Sequence, residues 1–245
     1  MRVVRRFCAH SMIYGYKQLS KADDWRDIVG ADKWVPTRSA YELAQRWHAG
    51  SFPPSVRDAF QRSGVPELQS LRVACLYVEH PTFLDTFHRP SCTDIMVHCR
   101  TTDNRPVIVG VEGKATEPFA EPVQQWITSS DGEPAPTRLR RLQHLSQMLG
   151  ITIPPDSSLR YQLVHRTASI VSEAALHGAA AAVVLVHSFA ESPDINWLDF
   201  QVFLRHLGTE PAPKNTFTAP CPLGPRRDIP THFIWITDEP IDRSA

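Results

Sequence analysis

Across 245 residues, 26 Lys and Arg balance 26 Asp and Glu, giving a formal charge of +0 and a pI of about 7.2. That balance excludes a protein that coats nucleic acid by bulk charge, although a local basic site survives it. With 42% apolar and 21% charged residues the composition is globular rather than disordered.

Proline is frequent at 21 residues and glycine sparse at 11. Stiff loops are expected, and neither GxGxxG nor GxxxxGK[ST] occurs, so dinucleotide and P-loop readings lack their motif. The cysteines are Cys8, Cys75, Cys92, Cys99 and Cys221. Their odd number and the lack of a CxxC pair speak against a disulfide framework or a cysteine zinc site. The opening MRVVRRFCAH is followed by polar residues rather than an apolar signal core. The longest apolar run, Ala179–Val186, falls far short of the ~20 residues that cross a bilayer. The expectation is a soluble, reduced, cytoplasmic chain with no membrane partner.

Residues 1–38 show no period and are expected as an irregular extension. Ser39–Gly50 reads as a helix, with Ala40, Leu43, Ala44 and Trp47 at helical spacing and Gly50 as the stop. A short helix opened by prolines is expected over Pro53–Arg62. Leu71–Val78 is a short apolar run of strand length. Asp94–Arg100 and Pro106–Lys114 are β-branched runs around the polar turn TTDNR, which predicts a hairpin. Helices follow over Pro136–Leu149 and Ser158–His177, then a buried strand over Gly178–His187 and a helix over Asp194–Leu207. Pro211–Pro230 is a proline-rich loop, and His232–Thr237 a last, edge strand. This order predicts one α/β domain over 1–245, with its core at 39–207 and a mixed central sheet flanked by helices on both faces.

If Asp103 marks the middle of the hairpin turn, antiparallel partners have numbers summing to 206, and Asp94 lies opposite Glu112. Opposed residues share a face. Lys114, two residues beyond Glu112, shares it too. Val107, Val109 and Val111 take the other face, which suits a core. Two carboxylates and a lysine thus converge on one spot. The bland reading is a surface ion pair, since ExK is common on exposed strands. The functional reading is a hard cation such as Mg²⁺ held by the carboxylates, with the lysine steadying phosphate charge.

Asp94 followed by Glu112-Gly113-Lys114 resembles the D…(D/E)xK signature of the PD-(D/E)XK nuclease superfamily. The chain is similar more closely to a family of uncharacterised bacterial proteins at SAYELAQRW (39–47), VEGKATEPF (111–119) and RYQLVHRTAS (160–169). The resemblance spans Ser39–Leu207. Pro90 departs from the pattern by standing four residues before Asp94. The resemblance implies a restriction-endonuclease-like core and Mg²⁺-dependent cleavage of nucleic acid, DNA first, with Mn²⁺ able to substitute. The products implied are a 5′-phosphate and a 3′-hydroxyl. Asp94 and Glu112 are the implied metal ligands, the Gly113 carbonyl a further one, and Lys114 the residue that holds water or phosphate. A homodimer is compatible with it. The alternative is a catalytically silent nucleic-acid- or protein-binding module of the same fold.

Gln162, Arg166, Ser169 and Glu173 recur at helical spacing as one polar stripe. The bland reading is a solvated face. The functional reading brings Gln162 into the catalytic group and lets Arg166 grip a phosphate through its fork. Arg160 and Glu117 complete the expected substrate-binding set, although Glu117 equally suits the start of a helix. His165, off the stripe, reads as a packing or hydrogen-bonding residue. Glu42 closes the capping box Ser39-x-x-Glu42 or, by the resemblance, reaches the metal. Arg138, Arg140 and Arg141 form one basic patch, and Arg2, Arg5 and Arg6 another, each suited to a phosphate backbone. Histidine is plentiful at 11, but no HExxH occurs, so zinc is not expected.

Overall fold

The computed structural model describes residues 12–241 apart from 16, 87–88, 129–131, 190–193 and 225–227. The basic patch of Arg2, Arg5 and Arg6 lies outside the described residues. Eight strands form one mixed sheet in the order β2-β1-β3-β4-β5-β6-β8-β7. In chain order they are Met12–Tyr14 (β1), Lys17–Leu19 (β2), Arg72–Thr82 (β3), Ser91–Arg100 (β4), Pro106–Lys114 (β5), Ala181–Ser188 (β6), Cys221–Pro222 (β7) and Pro230–Thr237 (β8). The helices are Asp23–Val29 (α1), Ser39–Trp47 (α2), Pro54–Gln61 (α3), Pro66–Gln69 (α4), Val123–Ile127 (α5), Pro136–Leu149 (α6), Tyr161–Leu176 (α7) and Ile195–His206 (α8). No helix among the described residues is long and apolar enough to cross a membrane.

The hairpin sets the frame. Ile95 pairs Val111 and Arg100 pairs Pro106, so β4 and β5 keep the expected register. Antiparallel β3, β4 and β5 are followed by parallel β6 and β8, which need the long crossovers that α7 and α8 supply. Alternation along β5 splits the core in two. Val107, Val109 and Val111 pack with Trp25, Leu43, Trp47 and Val56 on one face. Ile108 and Met96 pack with Leu145, Val164, Ile170 and Phe203 on the other. Helices therefore cover both faces.

Two expectations need correction. The stretch from β1 to the end of α1 at Val29 is not irregular: β1 pairs parallel with β3 through Met12 and Leu76, and Trp25 of α1 is buried. Strands of three residues and a helix of seven are too short to show a period. The last strand is not the sheet's edge, because Cys221 and Pro222, inside the proline-rich loop, pair along β8.

Helix α7 lies close on β5 because Gly110 has no side chain. A Cβ there would sit 2.2 Å from Ile170 Cγ1 and 2.3 Å from Cδ1. Gly110→Ala is expected to cost about 1–3 kcal/mol in denaturant unfolding, the usual cost of overpacking. Combined with Ile170→Ala, the loss should fall short of the sum of the two single losses, the mark of a shared clash. Additive losses would place the strain elsewhere.

Candidate active site

At the end of β5 the side chain of Glu112 is buried beneath α7. One of its oxygens accepts from Lys114 Nζ at 3.0 Å and from Gln162 Nε2. The other accepts from Arg166 Nε at 2.6 Å. Arg166 also donates to Ser91 Oγ at 3.1 Å, and its last amine lies 3.8 Å from Asp94 Oδ1. Asp94 accepts from the backbone N–H of Gly113 at 2.9 Å. The polar stripe of α7 is thus turned onto the sheet at Gln162 and Arg166, not into solvent. Asp94, Glu112, Lys114, Gln162 and Arg166 line a cleft of about 820 Å³ that also includes Glu79, Cys92 and Glu117.

Neighbouring helices close the site. Gly113 lies under α2, where a Cβ would meet Leu43 Cδ1 at 2.5 Å and Ser39 Cβ at 2.9 Å. The Glu of the ExK run is therefore followed by the residue that lets α2 approach. Glu117 accepts from the Ser39 N–H at 3.0 Å, so it docks the first turn of α2 on the cleft wall. Gln162 accepts in turn from the Ala120 N–H at 3.2 Å, which fixes its amide toward Glu112. His165 is a hydrogen-bonding histidine: its Nδ1 lies 2.8 Å from Ser91 Oγ.

Glu79 escaped the sequence reading. The strand expected to stop at Val78 continues to Thr82. Val78 pairs Ile95 and His80 pairs Thr93, which sets Glu79 opposite Asp94. Its φ of +47° interrupts the alternation, and its carboxylate accepts from Trp25 Nε1 at 3.2 Å. A non-glycine residue in that backbone region stores strain of the sort found at functional sites. Running the strand through His80 and pairing it with the hairpin was the signal available.

Other expected site residues stand elsewhere. Glu42 neither caps α2 nor lines the cleft: it is fully buried, and one oxygen accepts from the Ile241 N–H at 3.1 Å. The chain after β8 supplies that donor, and neither the capping-box pattern nor the resemblance could show it. Arg160 is held by Asp199 at 2.8 Å and does not line the cleft. The patch on α6 is largely structural. Arg141 is buried against Asp85 at 2.9 Å and Tyr161 at 2.7 Å, and Arg138 donates to the carbonyls of Trp126 and Thr128.

The electrostatics divide the carboxylates. Burial pushes Asp94 well above the usual carboxylate range, and the neighbouring Glu112 adds to this. Burial also raises Glu79, against the Trp25 hydrogen bond and Arg166. For Glu112, Lys114 and Arg166 outweigh burial and hold it below its ordinary value. The two carboxyls are thus pushed in opposite directions, Glu112 toward its ionised form and Asp94 toward its protonated form. Glu79, Asp94 and Glu112 are all hard oxygen donors, the set that Mg²⁺ or Mn²⁺ takes. The cleft wall carries five carboxylates (Asp32, Glu79, Asp94, Glu112, Glu117) and four cations (Lys33, Arg38, Lys114, Arg166), so a phosphate needs further positive charge to enter.

A carboxyl raised in the fold stabilises the protein fully below its unfolded pKa, and that contribution is lost as pH rises through the folded value. In EDTA at pH 8, Asp94→Asn is therefore expected to raise the thermal midpoint above wild type. The gain should shrink as pH falls and Asp94 takes up its own proton. Equal midpoints at pH 8 would show that Asp94 is unstrained.

A family model described as a domain of unknown function (DUF6946) matches residues 18–240. No curated protein and no solved structure matches the chain.

Proposed function

The chain belongs to the DUF6946 family, and we propose that it is a metal-dependent phosphodiesterase acting on nucleic acid, DNA first, with a restriction-endonuclease-like core. The observation that carries this reading is the convergence of Asp94, Glu112 and Lys114 at the end of the β4–β5 hairpin, under Gln162 and Arg166. The antiparallel run of β3, β4 and β5, followed by α7 and a parallel β6, supports the fold. The similarity at 39–47, 111–119 and 160–169 falls on α2, β5 and α7, which build the cleft.

Asp94 and Glu112, with Glu79, would hold Mg²⁺ or Mn²⁺. When bound, the cation supplies positive charge for the phosphate and lowers the pKa of an attacking water. Hydrolysis forms a bond from the water oxygen to phosphorus and breaks the bond to the 3′ oxygen, which leaves with a proton. Lys114 is buried beside Glu112 and lies 4.8 Å over the Phe119 ring, so water is largely excluded around its ammonium. In such a setting its charge acts strongly on the developing phosphate charge. Gln162 holds the Glu112 carboxylate in place. Arg166 presents a fork suited to two phosphate oxygens.

A second reading, a silent binding module, is favoured by one observation. Both oxygens of Glu112 already accept from Lys114, Gln162 and Arg166, so the carboxylate is satisfied without a cation.

Purified protein with Mg²⁺ or Mn²⁺ should nick or degrade DNA, and EDTA should stop it. Asp94→Ala and Glu112→Ala should lose both the metal, read by calorimetry, and most of the rate. Lys114→Ala should keep the metal and lose ~10²–10³ in rate. Glu42→Gln should leave metal affinity unchanged. A screen of linear, supercoiled, single-stranded and branched DNA and of RNA that shows neither cleavage nor bound metal would favour the binding module.

A further inference from the structure

At the far end of α7 from the cleft, three imidazoles surround a single carboxylate oxygen. Glu173 Oε1 lies 3.2 Å from His177 Nε2, 3.4 Å from His98 Nε2 and 3.7 Å from His80 Nε2. His80 comes from β3, His98 from β4, Glu173 from the last turn of α7 and His177 from the residue that caps its C-terminus. The ligand atoms of His98, Glu173 and His177 all lie within 4.8 Å of one another. We propose that His98, Glu173 and His177 form a three-ligand binding site for a divalent cation of the Zn²⁺ class, with the fourth position open to water.

The spacing is the first argument. Ligands at ~2.0–2.1 Å from a tetrahedral zinc stand ~3.3–3.4 Å from one another. The contacts of His177 and His98 to Glu173 Oε1, at 3.2 and 3.4 Å, match that edge length. The second argument is the orphaned donor. His98 Nε2 is buried and completes no hydrogen bond, although it faces Glu173. The third is the donor set. Two imidazoles and one carboxylate suit zinc and its neighbours, whereas Mg²⁺ takes oxygen. The ring of Tyr77 stands 5.4 Å from His80 and 5.3 Å from His98, a wall that limits their rotation. The His177 side chain is 41% exposed and offers the entry path.

The site is separate from the cleft. His98 stands four residues from Asp94 along β4, a run of ~13 Å. Glu173 stands seven residues from Arg166 along α7, a rise of ~10 Å. An occupied site would tie the end of α7 to β4 and so hold the helix that carries Gln162 and Arg166.

The test uses untagged full-length protein, loaded with Zn²⁺ and dialysed, with retained metal measured directly. Wild type should keep a single Zn²⁺ per chain and gain thermal stability from it. Co²⁺ in its place should show the visible absorption of a tetrahedral site, and excess Mg²⁺ should displace neither ion. His98→Ala with His177→Ala should abolish retention with circular dichroism unchanged. His177→Ala alone, at the half-exposed position, should weaken it without any risk to the core. Asp94→Asn with Glu112→Gln should retain Zn²⁺ as wild type does, which keeps this result apart from the fate of the cleft. Three outcomes overturn the proposal: no Zn²⁺ on folded wild type, equal retention by the double histidine variant, or loss of Zn²⁺ in the cleft variant.

Discussion

The carboxylate of Glu112 is a buried anion, and the architecture around it exists because such a charge cannot be left alone. A buried carboxylate without partners is worth several kcal/mol of instability, and only paired, hydrogen-bonded geometry offsets that. Here Lys114 comes from the same strand, while Gln162 and Arg166 come from α7. The helix must therefore cross the end of β5, and it does so at close range over Gly110. On the other face α2 comes equally close over Gly113. Two glycines two positions from each other's neighbours thus set the helices that roof and floor the cleft.

One helix carries two polar centres over a continuous apolar base. Leu163, Val164, Ile170 and Ala174 pack on the sheet, while Gln162, Arg166 and Glu173 lie along the margin of that contact. An amphipathic helix whose polar stripe faced water would need none of these partners. Instead Arg166 is committed to Glu112 and Ser91, and Glu173 to the histidines of β3 and β4. The stripe is polar because it meets polar ends of strands, not because it meets solvent.

What was legible in the sequence was local. The hairpin register followed from a short polar turn and strict alternation, and it brought Asp94 to Glu112 without any long-range information. The bounds of α6 and β5 followed from proline and β-branched runs. What was hidden depended on distant partners or on irregular backbone. Glu79 needed a strand that runs on through a positive φ. Arg141 reads as surface until Asp85 and Tyr161 meet it in the core. Glu42 has its partner 199 residues away in the chain. The histidines carry no spacing motif because the sheet, not the sequence, assembles them.

Under the proposed function, the competition for Glu112 has a consequence for order of binding. Arg166 occupies a carboxylate oxygen that a divalent cation would also take, and its own burial forbids it from simply swinging free. A phosphodiester in the cleft gives the guanidinium an alternative anion of matching geometry. If Arg166 turned to the phosphate, Glu112 would be left short of positive charge, and a cation taking the arginine's place would favour the ionised forms of Asp94 and Glu79. On that reading a substrate that receives the arginine would strengthen cation binding at the carboxylates. The same exchange would reconcile the two readings of the cleft, because a Glu112 satisfied by Arg166, Lys114 and Gln162 would be the arrangement a cation finds on entry.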